Sequence, residues 1–212
     1  MGPLAVVPIA PLKSTSMFLK DIESSAGTGG HAASLQRIRS AGLPVPQILH
    51  MFAFNGQRTD HLMRFTQDVM RGPSPLTAGE RELIAAFTSE QNRCRFCHGS
   101  HAAVAAELLG SRELVEAAIT DYANAPITPK LKALLAFVHK VAVESSEITQ
   151  ADVDAAKSAG WSDHALYDAI TVCALFNFYN RWVNSSGVAD MGPAAYAISG
   201  KRMANEGYIR ET

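Results

Sequence analysis

Apolar positions recur three and four residues apart through most of this chain, the period of helices that bury one face. In "GPSPLTAGERELIAAFTSE" Leu83, Ile84 and Phe87 share a side, and Thr77 stands three residues before Glu80, the spacing of a capping box. "ILHMFAFNGQRTDHLMRFTQDVMR" reads as two helices broken near Asn55 and Gly56. "CHGSHAAVAAELLG" continues as a helix closed by Gly110. "SRELVEAAITDYANAP", "TPKLKALLAFVHKVAVES", "TQADVDAAKSAG" and "SDHALYDAITVCALFNFYNRWVNSSG" each begin at a capping residue and end at Gly, Pro or a polar turn. No stretch alternates as a strand would, so the predicted class is all-α. Pro3, Pro8 and Pro11 predict an extended start. "DIESSAGTGGHAAS", residues 21 to 34, reads as a loop from its Gly and Ser, and "GLPVPQI" as an extended turn. The chain is thereby divided into an arm and loop over residues 1–41 and an all-α domain over residues 42–212.

Composition narrows the function classes. The 212 residues are 47% hydrophobic and 18% charged, which suits one globular domain with an arm. The 19 basic and 20 acidic residues leave a net charge of -1, which points to neither nucleic acid nor an anionic membrane as partner. "MGPLAVVPIAPLK" has no basic residue before its apolar stretch and is broken by prolines, unlike a secretory leader. No apolar run approaches the roughly 20 residues of a membrane span. The expected location is the cytoplasm. Three cysteines, an odd number, do not form a structural disulfide framework.

The chemistry concentrates in "NRCRFCHGSH", where Cys94, Cys97, His98 and His101 occupy eight positions. On a helix these four side chains fall within one stripe. Three chemistries compete for them. Cys94-Arg95-Phe96-Cys97-His98 matches the haem c attachment pattern, which belongs to exported proteins. Zinc needs four ligands placed around it, whereas these lie along two turns of one helix, with no second C-x-x-C. Thiol redox needs two sulfurs near a helix start, where the positive dipole end favours thiolate. Its usual scaffold contains strands, so here it requires an all-α one.

Glu82 stands twelve residues before Cys94, and the order Glu82, Cys94, Cys97, His101, preceded by "GPSPLTAGERELIA", resembles the signature of alkyl hydroperoxidase D (AhpD) within the carboxymuconolactone decarboxylase-like superfamily. The Val45-Pro46 entry and the "FNFYNRWVNSSGV" helix resemble its longer peroxidase-related branch, so the similarity runs from about residue 42 to 190. The resemblance implies an all-α AhpD-like helical bundle, a homo-oligomer, no cofactor, and a dithiol that reduces hydroperoxides and is reset by an external lipoyl-like or thioredoxin-like dithiol. It implies Cys97 as the attacking thiol, Cys94 as the resolving one, and Glu82 as proton acceptor through water or His101. Where the AhpD pattern has His before its second cysteine, this chain has Phe96. The alternatives are a cofactor-free decarboxylase or isomerase of the same superfamily, and a non-catalytic redox sensor.

Twelve residues rotate Glu82 about 120° away from the thiol stripe on a straight helix, so a break is predicted near Ser89 to Arg93. Ser89 and Asn92 are candidate caps for the second helix. His98 reads as a rim residue or a helper, Glu90 as a surface charge, and Cys173 as a small buried hydrophobe.

Overall fold

The computed structural model describes residues 16–209, and among these every regular element is helical. The helices are α1 (Lys20–Ser24), α2 (Gly30–Ser40), α3 (Gln47–Phe54), α4 (Gly56–Arg71), α5 (Ala78–Gln91) and α6 (Arg95–Leu109). They continue as α7 (Arg112–Asp121), α8 (Pro129–Val143), α9 (Gln150–Ser158), α10 (Asp163–Ser186) and α11 (Pro193–Glu206). The expected break near Asn55 and Gly56 separates α3 from α4, and Gly110 closes α6 in the left-handed region. Thr77 and Glu80 form the capping box that starts α5. The extended reading of residues 1 to about 15 lies outside the described residues.

The loop reading of residues 21–34 is corrected in part: α1 takes residues 21–24 and the start of α2 residues 30–34, while residues 25–29 between them are the loop. Gly and Ser report weak local propensity, and tertiary contacts override it here. Leu35 is wholly buried, Arg39 donates to the Ser25 and Glu23 carbonyls, and the Gly30 N–H meets both oxygens of the Asp60 carboxylate.

The core is built around α5. Leu83, Ile84 and Phe87 are at most 1% exposed, each a burial of about 1.5–3 kcal/mol. That apolar driving force is what carries two charged side chains, Arg81 and Glu82, into the interior on the same helix. α6 folds back antiparallel against α5, and α10 and α8 cover α5 on other sides. α11 lies on α6, a contact that two glycines make possible. A Cβ on Gly99 of α6 would stand 2.6 Å from the Tyr196 ring of α11, and one on Gly200 of α11 would stand 2.8 Å from Ala103 of α6. Among the described residues no helix is long and apolar enough to cross a membrane.

Candidate functional site

The turn between α5 and α6 sets the position of the thiols. α5 ends at Gln91, Arg93 takes φ 53°, and the Arg93 and Cys94 N–H groups bond back to the Glu90 and Ser89 carbonyls. This is a Schellman closure with Arg at the position that glycine usually fills. The same Cys94 is the first boundary residue of α6, so neither Ser89 nor Asn92 caps that helix. Ser89 instead bonds the Ala85 carbonyl, and Asn92 donates to Asn177 and Asn180 of α10. The predicted break is there, and it moves Glu82 off the α6 stripe.

Cys94 and Cys97 are both reduced and almost fully buried. They sit in an apolar pocket with Phe96 and Val183, against Ile48, Val188 and Met191. The two sulfurs act as one titrating unit. A hydrogen bond from the Cys97 thiol, against the opposing effect of burial, holds Cys94 below the ordinary thiol range, helped by the Cys97 backbone N–H and the Asn180 amide. The Cys97 thiol is pushed well up because it donates to Cys94, because it is buried, and because it faces the Cys94 charge. Cys94, at the helix start where the dipole favours thiolate, is therefore the sulfur of the pair that ionises first. Asn180 is wholly buried and reaches both sulfurs and the Ser89 hydroxyl, which fixes the amide behind the pair.

Glu82 is wholly buried and surrounded by donors. Arg71 Nη2 lies 2.7 Å from one carboxylate oxygen, and the Tyr208 hydroxyl donates to that oxygen at 2.9 Å. His101 Nδ1 lies 2.7 Å from the other. Burial alone would raise the Glu82 carboxyl, but His101 and Arg71 together outweigh it and hold it below its ordinary value. Glu82 is thus a carboxylate, an acceptor only, and Nδ1 of His101 must carry the hydrogen between them. In neutral imidazole the lone pair is then on Nε2. His101 is itself buried, edge-on to Phe176 at 4.4 Å, and one turn beyond Cys97 on α6.

Phe96, where the AhpD pattern has His, packs near Tyr196 with ring centroids 6.4 Å apart. Tyr196 donates to Asp190 and accepts from the Met191 N–H, and the Ala189 N–H bonds Gln47 of α3. The strap before α11 is so fastened at both ends beside the thiols. His98 Nδ1 stands 3.3 Å from Glu90, within ion-pair range but out of hydrogen-bond alignment. Cys173 is buried in the core, 3.9 Å from the Val138 carbonyl. Among the described residues no group of three His, Cys, Asp or Glu is placed to hold a metal ion.

Residues 59–140 match the model of the carboxymuconolactone decarboxylase family, a span that contains Glu82, Cys94, Cys97 and His101. Over that span the chain is similar to the carboxymuconolactone decarboxylase family. Two solved structures are similar to the chain. One is an uncharacterized peroxidase-related protein from Silicibacter sp. TM1040, 28% identical with a TM-score of 0.69, covering 80% of this chain and 90% of its own. The other, described as an alkylhydroperoxidase AhpD core and uncharacterized peroxidase-related protein from Ralstonia eutropha JMP134, is 25% identical with a TM-score of 0.69, covering 95% and 98%. No protein of curated function matches. Several groups at the site lie outside the matched span: Asn180, Tyr196 and Tyr208. Sequence reasoning missed all three, and Arg71 with them. Asn177 and Asn180 did leave a signal, two amides inside the apolar run of α10, because buried polar groups on such a face need partners. Tyr208 left none, and α11 was not predicted at all, although Pro193 and Gly207 bracket it as start and stop.

Proposed function

We propose that this chain is a dithiol oxidoreductase that reduces organic hydroperoxides. One observation carries the reading: a reduced, buried Cys94–Cys97 pair at a helix start, with His101 one turn on and tied to Glu82. A thiolate sulfur attacks the O–O bond, which breaks to leave a sulfenic acid and an alkoxide that takes a proton to become the alcohol. The second thiol then condenses with the sulfenic acid, forming the S–S bond and releasing water. An external dithiol reduces that disulfide and becomes oxidised itself. His101 Nε2 is the proton acceptor for Cys97. Glu82 holds the imidazole rather than taking the proton, since Arg71, His101 and Tyr208 already engage it.

The order of the two sulfurs has two readings. The resemblance to AhpD gives attack to Cys97, which then passes its proton to His101 or Cys94 first. The lower ionisation of Cys94 favours attack from Cys94, with Cys97 resolving. A dimedone-type trap of the sulfenic acid in Cys94→Ser and Cys97→Ser separates them, because only the variant that keeps the attacking sulfur gives an adduct.

The function itself is tested by steady-state consumption of cumene hydroperoxide with a panel of dithiol donors, against enzyme alkylated at its thiols. Turnover that the alkylation abolishes is the expected result. Disulfide formation without turnover would leave a redox sensor. Lyase activity that survives alkylation would place the chain with the cofactor-free decarboxylases of the carboxymuconolactone decarboxylase-like superfamily. A homo-oligomer in light scattering would fit this reading, and a monomer at micromolar concentration would count against it.

A further inference from the structure

We propose that Tyr208 is a positioning residue of the relay: its hydroxyl, shared with Glu82, sets how tightly the carboxylate holds His101 and so how readily the imidazole takes a proton from the thiol pair. The inference rests on the reading of Glu82 and His101 as that relay.

The hydroxyl is delivered by contacts that do not involve Glu82. Gln67 and Arg71 stand one turn apart on α4, and both grip the segment that follows α11. The Gln67 side-chain oxygen accepts from the Tyr208 N–H at 2.7 Å and from the Ile209 N–H at 3.3 Å. Arg71 donates to the Met203 carbonyl at 3.2 Å, and its guanidinium lies 5.1 Å over the Tyr208 ring. Gly207, at φ 71°, turns the chain into this position, and a Cβ there would stand 2.8 Å from the Gln67 oxygen. The ring then lies nearly parallel to that of His101, at 14° and 6.2 Å, with its oxygen 2.9 Å from Glu82 and 3.3 Å from His101 Nδ1.

Three donors consequently share one carboxylate: Arg71, His101 and Tyr208. Burial and the Glu82 charge push the phenol well above its ordinary range, so it stays a donor throughout neutral pH. Arg71 is a fixed charge and Arg81 adds a second cation to the Glu82 surroundings; Tyr179 is the further titratable neighbour of Tyr208, and Cys94 and Cys97 lie on the thiol side. Each donor withdraws charge from the carboxylate, and a donor removed leaves more of it to the remaining partners. Without the phenol oxygen, Glu82 binds the His101 Nδ1–H more strongly. An imidazolium is then better stabilised beside a thiolate.

The test is Tyr208→Phe, which removes one oxygen and keeps the ring. Two readouts are taken on the full chain, neither needing a peroxide. The His101 Nδ1–H proton resonance, assigned by its loss in His101→Gln, is expected to move downfield. The pH profile of iodoacetamide alkylation is expected to shift about half a unit to lower pH. If either stays at the wild-type value in folded protein, the inference is overturned. Should Tyr208→Phe lose the native circular dichroism spectrum, Gln67→Leu is read instead: it releases the segment without touching the relay, and the absence of both shifts there overturns the inference equally. A chain that shows the shifts but consumes no hydroperoxide keeps the positioning role and sinks the peroxidase reading. A chain that turns over hydroperoxide without the shifts does the reverse.

Discussion

Glu82 and the Cys94–Cys97 pair are equally buried, yet the protein treats their charges in opposite ways. Glu82 is met by a cation, an imidazole N–H and a phenol, drawn from α4, α6 and the segment after α11. The thiols are met by Phe96, Val183, Ile48, Val188 and Met191, with one amide, Asn180, behind them. The difference teaches what each site is for. A charge surrounded by donors is permanent: it costs several kcal/mol to bury and is stabilised only by remaining in place. A charge shared between two sulfurs in an apolar pocket is available, because a partner can take it up or give it away at modest cost. In the function proposed above, His101 joins the two regions: Nδ1 is committed to the fixed charge, and Nε2 is the acceptor for the movable one.

Breaking the fixed side has the largest expected effect. Glu82→Ala leaves Arg71 and His101 facing an empty buried position, a loss of about 3–5 kcal/mol in urea denaturation. Glu82→Gln keeps an acceptor for Arg71 and costs less stability, but removes the charge that orients His101. Thiol oxidation is then expected to slow by about 100-fold or more. The pH dependence has a definite sign. The folded carboxyl lies below its unfolded value, so the stability it confers is complete above the unfolded pKa, about 4.3, and is lost as pH falls through the folded one. The stability gap between wild type and Glu82→Gln should accordingly narrow below about pH 4.3. A gap that stays constant from pH 7 to pH 3 would mean that Glu82 is not ionised in the fold.

The movable side was far more legible in the sequence than the fixed one. Cys94, Cys97, His98 and His101 stand out by their spacing in one short stretch, Glu82 enters through the resemblance to the AhpD signature, and the break between it and the thiols follows from the angle that twelve residues turn. The other two partners of Glu82 do not follow from spacing. Arg71 and Tyr208 are 137 residues apart, each an ordinary residue for its own segment, and only the tertiary fold brings them to one carboxylate. For the same reason α1 and α2 were hidden behind Gly and Ser: the burial of Leu35, the bonds from Arg39 back to Glu23 and Ser25, and Asp60 of α4 at the start of α2 are tertiary contacts that local propensity does not register. Where a helix buries its own apolar face, as α5 does, pattern is sufficient.

The thiol pair itself offers the next effect. Alkylation of wild type should show a first ionisation below the ordinary thiol range and a second well above it. Cys97→Ser replaces a thiol donor by a hydroxyl and removes the shared proton, so the Cys94 profile should move by up to about one unit. Cys94→Ser removes the charge that holds Cys97 up, and Cys97 should ionise at markedly lower pH than the second step of wild type. Identical profiles for the two single-thiol variants and the first step of wild type would show that the sulfurs do not share a charge.

The smallest effect concerns the joint between the regions. Arg93 is the only described residue other than glycine with positive φ, and it links the helix that carries Glu82 to the helix that carries the thiols. A side chain in the left-handed region costs about 1–2 kcal/mol, and glycine gives back about 0.5–1 of that in unfolded-state entropy. Arg93→Gly should therefore stabilise the fold by about 0.5 kcal/mol or a little more, read as a higher urea midpoint at unchanged slope. The conformation is set by the Schellman bonds from Arg93 and Cys94 to Glu90 and Ser89, which glycine keeps. Cys94 then stays at the start of α6, and the first thiol ionisation should be unmoved. If the ionisation moves as well, the arginine charge contributes to the thiolate, and the joint belongs to the electrostatics of the pair. If neither stability nor ionisation moves, the strain at Arg93 is offset by contacts of its side chain, and the joint is neutral in both respects.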